Sequence, residues 1–182
     1  TPVYYAALGK DTEGKNTTLY RLLLTGNGKA LGASVEYGAD LTLQTQKWGG
    51  AAWTQADETV SYQAAAPGAA AADINASYLP QTAGQYTFTA KSGDTELASA
   101  VLTVTPRRLT IRPAWDTAPT ALSEIRLDFE GALERDRAAL TNSLTVSDIN
   151  EYFSNPDRTG VFTFAPQWKE SEDSRRLQSA YS

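Results

Sequence analysis

The stretch Gln85-Tyr86-Thr87-Phe88-Thr89-Ala90-Lys91, then Ser92-Gly93-Asp94, then Ala100-Val101-Leu102-Thr103-Val104-Thr105, decides the fold. Its first part alternates with a period of two, the strand period. Tyr86, Phe88 and Ala90 share one face, and Thr87, Thr89 and Lys91 share the other. Ser92-Gly93-Asp94 supplies a turn, because glycine tolerates positive φ. Ala100, Leu102 and Val104 then share a face again. Residues 85–105 are therefore expected to form a β-hairpin, with Leu43, Tyr62, Tyr86, Phe88, Leu102 and Val104 in a common core.

The same period extends outward from the hairpin. Leu41 and Leu43, Val60 and Tyr62, and Leu31, Ala33, Val35 and Tyr37 predict earlier strands, and Gly26-Asn27-Gly28 predicts a turn after the apolar run Leu19 to Leu24. Short strands at this spacing indicate a sandwich. Ala64 to Ala72, interrupted by Pro67-Gly68, reads as a loop. The expected fold is mainly β: an immunoglobulin-like antiparallel β-sandwich followed by a smaller β-rich (α+β) domain. Residues 1–32 are expected to be an N-terminal edge strand or the end of a preceding module, 33–105 the sandwich, and 106–182 the second domain. Pro106 suits a strand end, and Leu109-Thr110-Ile111 resumes the alternation at once. So short a junction predicts two domains in line with limited freedom.

Past the junction the pattern is mixed. Ile125, Leu127 and Phe129 alternate, as do Phe162 and Phe164. Residues 132–140 and 146–153 lack alternation, and the first is open to a further short helix. The second of these reads as a short helix with Ser147 as N-cap, Asp148 and Glu151 in its first turn and Asn155-Pro156 at its end. Lys169 to Arg176 is expected to be an exposed charged loop, and Leu177 to Tyr181 the start of a strand.

Two resemblances rest on these residues. Val35-Glu36-Tyr37-Gly38-Ala39-Asp40-Leu41-Thr42-Leu43 resembles the opening of bacterial immunoglobulin-like (Big-type) repeats. Ala83-Gly84-Gln85-Tyr86-Thr87-Phe88-Thr89-Ala90, the Ser92-Gly93-Asp94 turn and Ala100 to Thr105 resemble their later strands. Leu102-Thr103-Val104-Thr105-Pro106-Arg107-Arg108-Leu109-Thr110-Ile111 is similar to the joint that leads into MBG-like domains, β modules found in tandem on bacterial surface proteins. Gly160 to Phe164 and Leu177 to Ser182 fit the back half of such a domain. The resemblance implies a non-catalytic extracellular spacer or adhesion module, secreted or wall-anchored on a bacterial cell surface. Its implied partners are neighbouring modules of the same chain, and a glycan or protein of the host or cell wall.

Composition narrows the chemistry. The 182 residues include no Cys and no His, which removes thiolate chemistry and the commonest general base and metal ligand. Net charge is −5, and the basic pairs Arg107-Arg108 and Arg175-Arg176 form no stripe, so nucleic acid is not an expected partner. Residues 60–72 are uncharged but Ala-rich and broken by Pro67-Gly68, so no membrane insertion is expected. The chain opens on Thr1 without a signal peptide and reads as a piece of a longer precursor.

Each chemically suggestive cluster has a plainer reading. Asp128 and Glu130, and Glu170, Glu172 and Asp173, offer paired carboxylates, but no apolar pocket to raise one pKa accompanies them, and solvated surface is the simpler account. Asp11, Glu13 and Asn16 offer oxygens to calcium without the spacing of a calcium loop; a turn is the simpler account. Gly26-Asn27-Gly28-Lys29 lacks phosphate-loop spacing. Lys47, beside Trp48, is the best of six lysines for an intramolecular isopeptide bond, in a poor context. No catalytic residue, cofactor or metal is expected. Trp48 and Trp53 bracket Gly49-Gly50 on an expected turn and are the candidate ligand contacts. Exposed and coplanar, they would stack on sugar rings, as in a carbohydrate-binding module accessory to a surface hydrolase. The plainer expectation buries Trp48 in the core and lays Trp53 over an edge, with Trp115 and Trp168 in the second core.

Overall fold

The computed structural model describes residues 5–10, 16–115, 117–147, 149–154 and 164–182. The chain divides into two compact units, Thr1–Pro106 and Arg107–Ser182. Among the described residues, no helix is long and apolar enough to cross a membrane.

The first unit is a two-sheet β-sandwich. One sheet runs β1 (Tyr5–Lys10), β2 (Asn16–Gly26), β5 (Leu41–Trp48), β6 (Trp53–Gln55), with β3 (Lys29–Ala30) on β2 and β9 (Ser77–Tyr78) on β5. The other runs β4 (Ser34–Glu36), β11 (Thr95–Thr105), β10 (Gly84–Ser92), β7 (Ser61–Ala65), β8 (Ala72–Ile74). All pairings are antiparallel except β4 on β11. Leu22, Leu24, Leu41 and Leu43 from one sheet and Tyr86, Phe88, Ala100, Leu102 and Val104 from the other are buried. These are the shared-parity residues, so alternation and core agree. At the β-bulge between Ala90 and Lys91 the ladder steps from Ala90↔Ala98 to Lys91↔Glu96. Leu97 is thereby left without an opposite residue, and it is buried alongside Ala98. Tyr62 is only half-buried, and its hydroxyl lies 3.1 Å from Thr45 Oγ1.

The Tyr86 ring is buried at the start of β10, and its hydroxyl turns back on the preceding corner. It donates to Thr82 O at 2.9 Å and accepts from the Thr82 N–H at 3.3 Å. This is the tyrosine-corner device of immunoglobulin-like sandwiches.

Several local expectations change. Residues 1–32 supply more than an edge strand: β1 is the edge, and residues 16–26 form the inner strand β2 beside it. Residues 31–37 do not form one strand: β3 ends at Ala30 and β4 spans only Ser34–Glu36. The alanine patch is not all loop, since Ala64↔Ala72 closes a β7–β8 hairpin around the Pro67-Gly68 turn. Gly26-Asn27-Gly28 is the turn joining β2 to β3, with φ of 51° at Asn27 and 81° at Gly28, the positive values that a two-residue hairpin turn requires.

The second unit is α+β. β12 (Thr110–Ala114) pairs with β13 (Arg126–Glu130), and β14 (Leu144–Val146) with β15 (Pro166–Trp168). The 3-10 turns Leu122–Glu124 and Glu134–Asp136, and the helices α1 (Arg137–Ser143), α2 (Asn150–Ser154) and α3 (Glu172–Ala180), complete it. The helix expected over 132–140 is displaced toward the C-terminus, a 3-10 turn leading into α1. Ser147 does not cap α2, which begins at Asn150; its hydroxyl bonds Ala165 O instead. Asp148, Asn155-Pro156, Phe162 and most of the expected 160–164 strand lie outside the described residues.

The largest correction is α3, where a loop and a strand were expected. Ser171 Oγ accepts the Ser174 N–H at 3.0 Å, Glu172 and Asp173 sit in the first turn, and Ser174, Leu177 and Ala180 form the buried stripe. Beyond it Tyr181 donates its hydroxyl to the buried carboxylate of Asp136 at 2.6 Å and accepts from the Leu133 N–H at 3.0 Å. Arg176 pairs with the other Asp136 oxygen at 3.5 Å. Gly131 allows the chain to pass here: its φ is +91°, and a Cβ would lie 2.4 Å from Arg108 O.

Two stability outcomes follow. Tyr86→Phe leaves the Thr82 backbone groups without their buried partner and is expected to cost about 1–3 kcal/mol in denaturant unfolding; an unchanged midpoint would show the corner to be incidental. Asp136→Ala leaves the Tyr181 hydroxyl and Arg176 without their shared acceptor, at an expected cost of about 2–4 kcal/mol. Amide hydrogen exchange should then accelerate in α3 first, and uniform acceleration across the second unit would argue against that local role.

Candidate functional site

In antiparallel pairing, directly opposed residues lie on the same face. The register Arg21↔Gln46, Gln46↔Gln55 and Trp48↔Trp53 therefore gathers these five side chains on the outer face of the first sheet. Arg21 Nε donates to Gln46 Oε1 at 2.7 Å, and the guanidinium lies 4.5 Å from the centroid of the Trp53 ring. Trp53 and Trp48 meet at 5.5 Å between centroids, with their planes 58° apart.

Trp48 is 41% exposed, so it does not pack in the core. It closes β5 one residue beyond the inward-facing Lys47, and parity places it outside. Trp53, half-buried, covers the edge strand β6. The two indoles are tilted, and the coplanar platform expected of a sugar-binding pair is absent. Trp115 is 37% exposed and leans on Tyr152 at 5.5 Å, so it is no core residue of the second unit; Trp168 is half-buried.

On the inward-facing side of the same strand ends, Tyr20 opposes Lys47. The buried Tyr20 hydroxyl donates to Glu58 Oε1 at 2.5 Å, and Lys47 Nζ pairs with Asp57. The Tyr20 hydrogen bond holds Glu58 below the usual carboxylate value, against the opposing effect of burial. Burial, then Glu58, pushes Tyr20 up. Asp57 holds Lys47 up. Lys47 and Asp57 thus pair with each other, while one Glu58 oxygen accepts from Tyr20 and the other, Oε2, is buried without a hydrogen-bond partner among the described residues. The carboxylate beside Lys47, that of Asp57, is exposed and not a buried acid.

The other clusters are solvated. Asp128 and Glu130 are exposed, and Glu130 pairs with Arg112 at 3.2 Å across two exposed side chains. Glu170, Glu172 and Asp173 are exposed, the last two at the start of α3. Asp11 and Glu13 lie outside the described residues; among those described, no three Asp or Glu side chains gather as metal ligands. A groove of about 470 Å³ in the second unit is lined by Leu122, Ile125, Leu127, Phe129, Leu144 and Val146 and by a few hydroxyls. Its Arg126 is tied to Ser123 O at 2.7 Å, and among the described residues no carboxylate lines it.

The Tyr20–Glu58 contact has a signed pH dependence. The folded-state pKa of Glu58 lies below its ordinary 4.5, so its contribution is present above that value and lost as pH falls through the folded one. Tyr20 runs the other way: raised above 10.0, its contribution is present below that value and lost as pH rises through the folded one. In Tyr20→Phe, NMR titration should show the Glu58 carboxyl moving up toward its ordinary value, with a shallower loss of thermal stability on acidification. A Glu58 titration unmoved by the substitution would show that another group holds it down.

Comparison with protein-family models, with curated proteins and with solved structures finds no match for this chain.

Proposed function

We propose that this chain is a non-catalytic spacer or adhesion module of a bacterial cell-surface protein, working outside the cell beside neighbouring modules of the same chain. The observation that carries this reading is how the backbone is held on each side of Pro106. In the first unit, β11 runs out to Thr105 between β10 and the parallel β4, with Thr103 N–H on Ala33 O at 2.9 Å and Tyr37 N–H on Thr105 O at 2.8 Å. In the second unit, residues 107–109 lie parallel to 180–182. Arg107 N–H donates to Ala180 O at 2.8 Å, Ser182 N–H to Arg107 O at 2.9 Å and Leu109 N–H to Ser182 O at 2.9 Å.

Tension carried through Pro106 acts along these strands. The bonds of these parallel pairs, evenly spaced and slanted, are then loaded together, in shear, instead of opening one after another. That is the property a load-carrying spacer needs. The likeness to Big-type and MBG-like modules, the absence of His and Cys and the solvated carboxylates support the same reading. A carbohydrate-binding module accessory to a surface hydrolase is the second reading, favoured by the exposed indole of Trp48.

Force spectroscopy tests the first. The chain has no cysteine, so Ala51→Cys, on an exposed bend, and a cysteine appended after Ser182 give unique handles. The full chain should unfold in discrete high-force steps. Ser182→Pro removes one N–H donor, and the extended Tyr181 before it accommodates the ring, so the force of one step should fall. Gradual extension of the parent chain, or no fall in the variant, would overturn the spacer mechanism.

A further inference from the structure

We propose that the outer-face cluster around Trp48 is a saccharide-binding site that takes a single neutral pyranose unit, held by stacking on the exposed surface of Trp48. The proposal stands on this face of the first sheet; it deepens and rests on the second, carbohydrate-binding reading and does not depend on the load-carrying one.

The stacking surface comes first. Trp48 is 41% exposed, with Leu122 the most accessible of the large apolar side chains among the described residues. Exposing an indole forgoes its burial, and its orientation here is held from the side by Trp53 at 5.5 Å. Trp53 is held in turn by Arg21 at 4.5 Å, and Arg21 by Gln46 at 2.7 Å. A stacking surface fixed this way loses little conformational entropy when a ligand settles on it.

The surroundings choose the ligand. Gln44, Gln46 and Gln55 share the outer face with the indoles by strand parity and register, and Gln55 is exposed. A pyranose matches this combination, with an apolar C–H face for the indole and hydroxyls for side-chain amides. A cationic ligand does not, because the Arg21 guanidinium already lies against the Trp53 ring and places positive charge beside the cluster. A protein partner would need a larger continuous apolar patch than two indoles set among amides and a guanidinium provide. The 58° tilt limits the contact to one sugar ring. An extended glycan crossing both indoles flat would need coplanar rings.

The position suits a ligand carried by another molecule. β5 starts at Leu41, opposite Tyr78, and ends at Trp48. Thr45 bonds Tyr62, which opposes Ala90 near the β10–β11 turn, so the Trp48 hairpin and that turn occupy the same end of the sandwich. Thr105 leaves by the other end.

The test uses the full chain and measures intrinsic tryptophan fluorescence and calorimetric heat against cellobiose, maltose, lactose and N,N′-diacetylchitobiose. At least one disaccharide should shift the emission saturably. Trp48→Ala should weaken that binding about tenfold or more, a loss of roughly 1.4 kcal/mol, with the fold retained and the melting temperature lowered only by the loss of the contact with Trp53. Trp48→Phe should retain part of it, and Leu79→Ala, exposed but remote from the cluster, all of it. No response to any of the four sugars, or equal loss in Trp48→Ala and Leu79→Ala, would overturn the proposal and leave the pulling experiment untouched.

Discussion

The first unit depends on the antiparallel ladder between β10 and β11. It pairs Gly84 with Val104 at one end and Ser92 with Thr95 at the other. Its inner face carries Tyr86, Phe88, Ala90, Ala98, Ala100, Leu102 and Val104, all buried. A one-residue slip would turn every one of these toward solvent, so the register is fixed by the core it serves. β11 also packs against β1 and β2 of the opposite sheet and pairs with β4 along its last residues. One strand therefore touches both layers of the sandwich, and placing it constrains most of the rest.

This dependence explains what could be read from the sequence. Alternation is a strong signal where one face is buried and the other wet, and Gln85 to Thr105 shows it without interruption except at the bulge. Tyr86 could be assigned to the core by parity, but the return of its hydroxyl to Thr82 could not, because that bond depends on how the chain turns before β10. Trp48 departs from expectation for a related reason. Strand parity prevails over tryptophan's general tendency to be buried: Leu41, Leu43 and Thr45 face in, which puts Trp48 out. The Trp48–Trp53 pairing followed from the Gly49-Gly50 turn, while the roles of Arg21 and Gln46 needed the β2–β5 register, which joins segments 25 residues apart.

In the second unit, short elements leave little periodicity to detect. α3 shows why. Its charged residues dominate the reading of 169–176, yet Ser174, Leu177 and Ala180 recur every three residues behind a serine cap. The buried stripe has only one large apolar side chain, so hydrophobicity alone does not announce it. Asp136 was equally hidden. An aspartate is normally read as surface, and this one is buried because Tyr181 and Arg176, both more than 35 positions away, converge on it.

A chain without cysteine must join distant segments by other means, and here tyrosine hydroxyls repeatedly do so. Tyr20 reaches Glu58 across 38 positions, Tyr181 reaches Asp136 across 45, Tyr62 reaches Thr45 across 17, and Tyr86 ties its own corner. The side chain suits the task because its ring contributes buried apolar area while its hydroxyl satisfies a polar group that the same burial would otherwise strand. Each such bond contributes less than a disulfide and ties the unfolded chain not at all, so the stabilisation lies in the native state and leaves the ensemble it folds from unrestricted. It is also indifferent to redox conditions. The cost is specificity of surroundings: a tyrosine hydroxyl stabilises only where its acceptor is held in place. Most of the partners sit on structured neighbours, Asp136 at the start of α1, Thr45 within β5 and Thr82 at the corner before β10, while Glu58 lies on the bend between β6 and β7. In both units, then, the apolar pattern decides which faces meet, and a few buried hydroxyls decide which loops and ends are held against them.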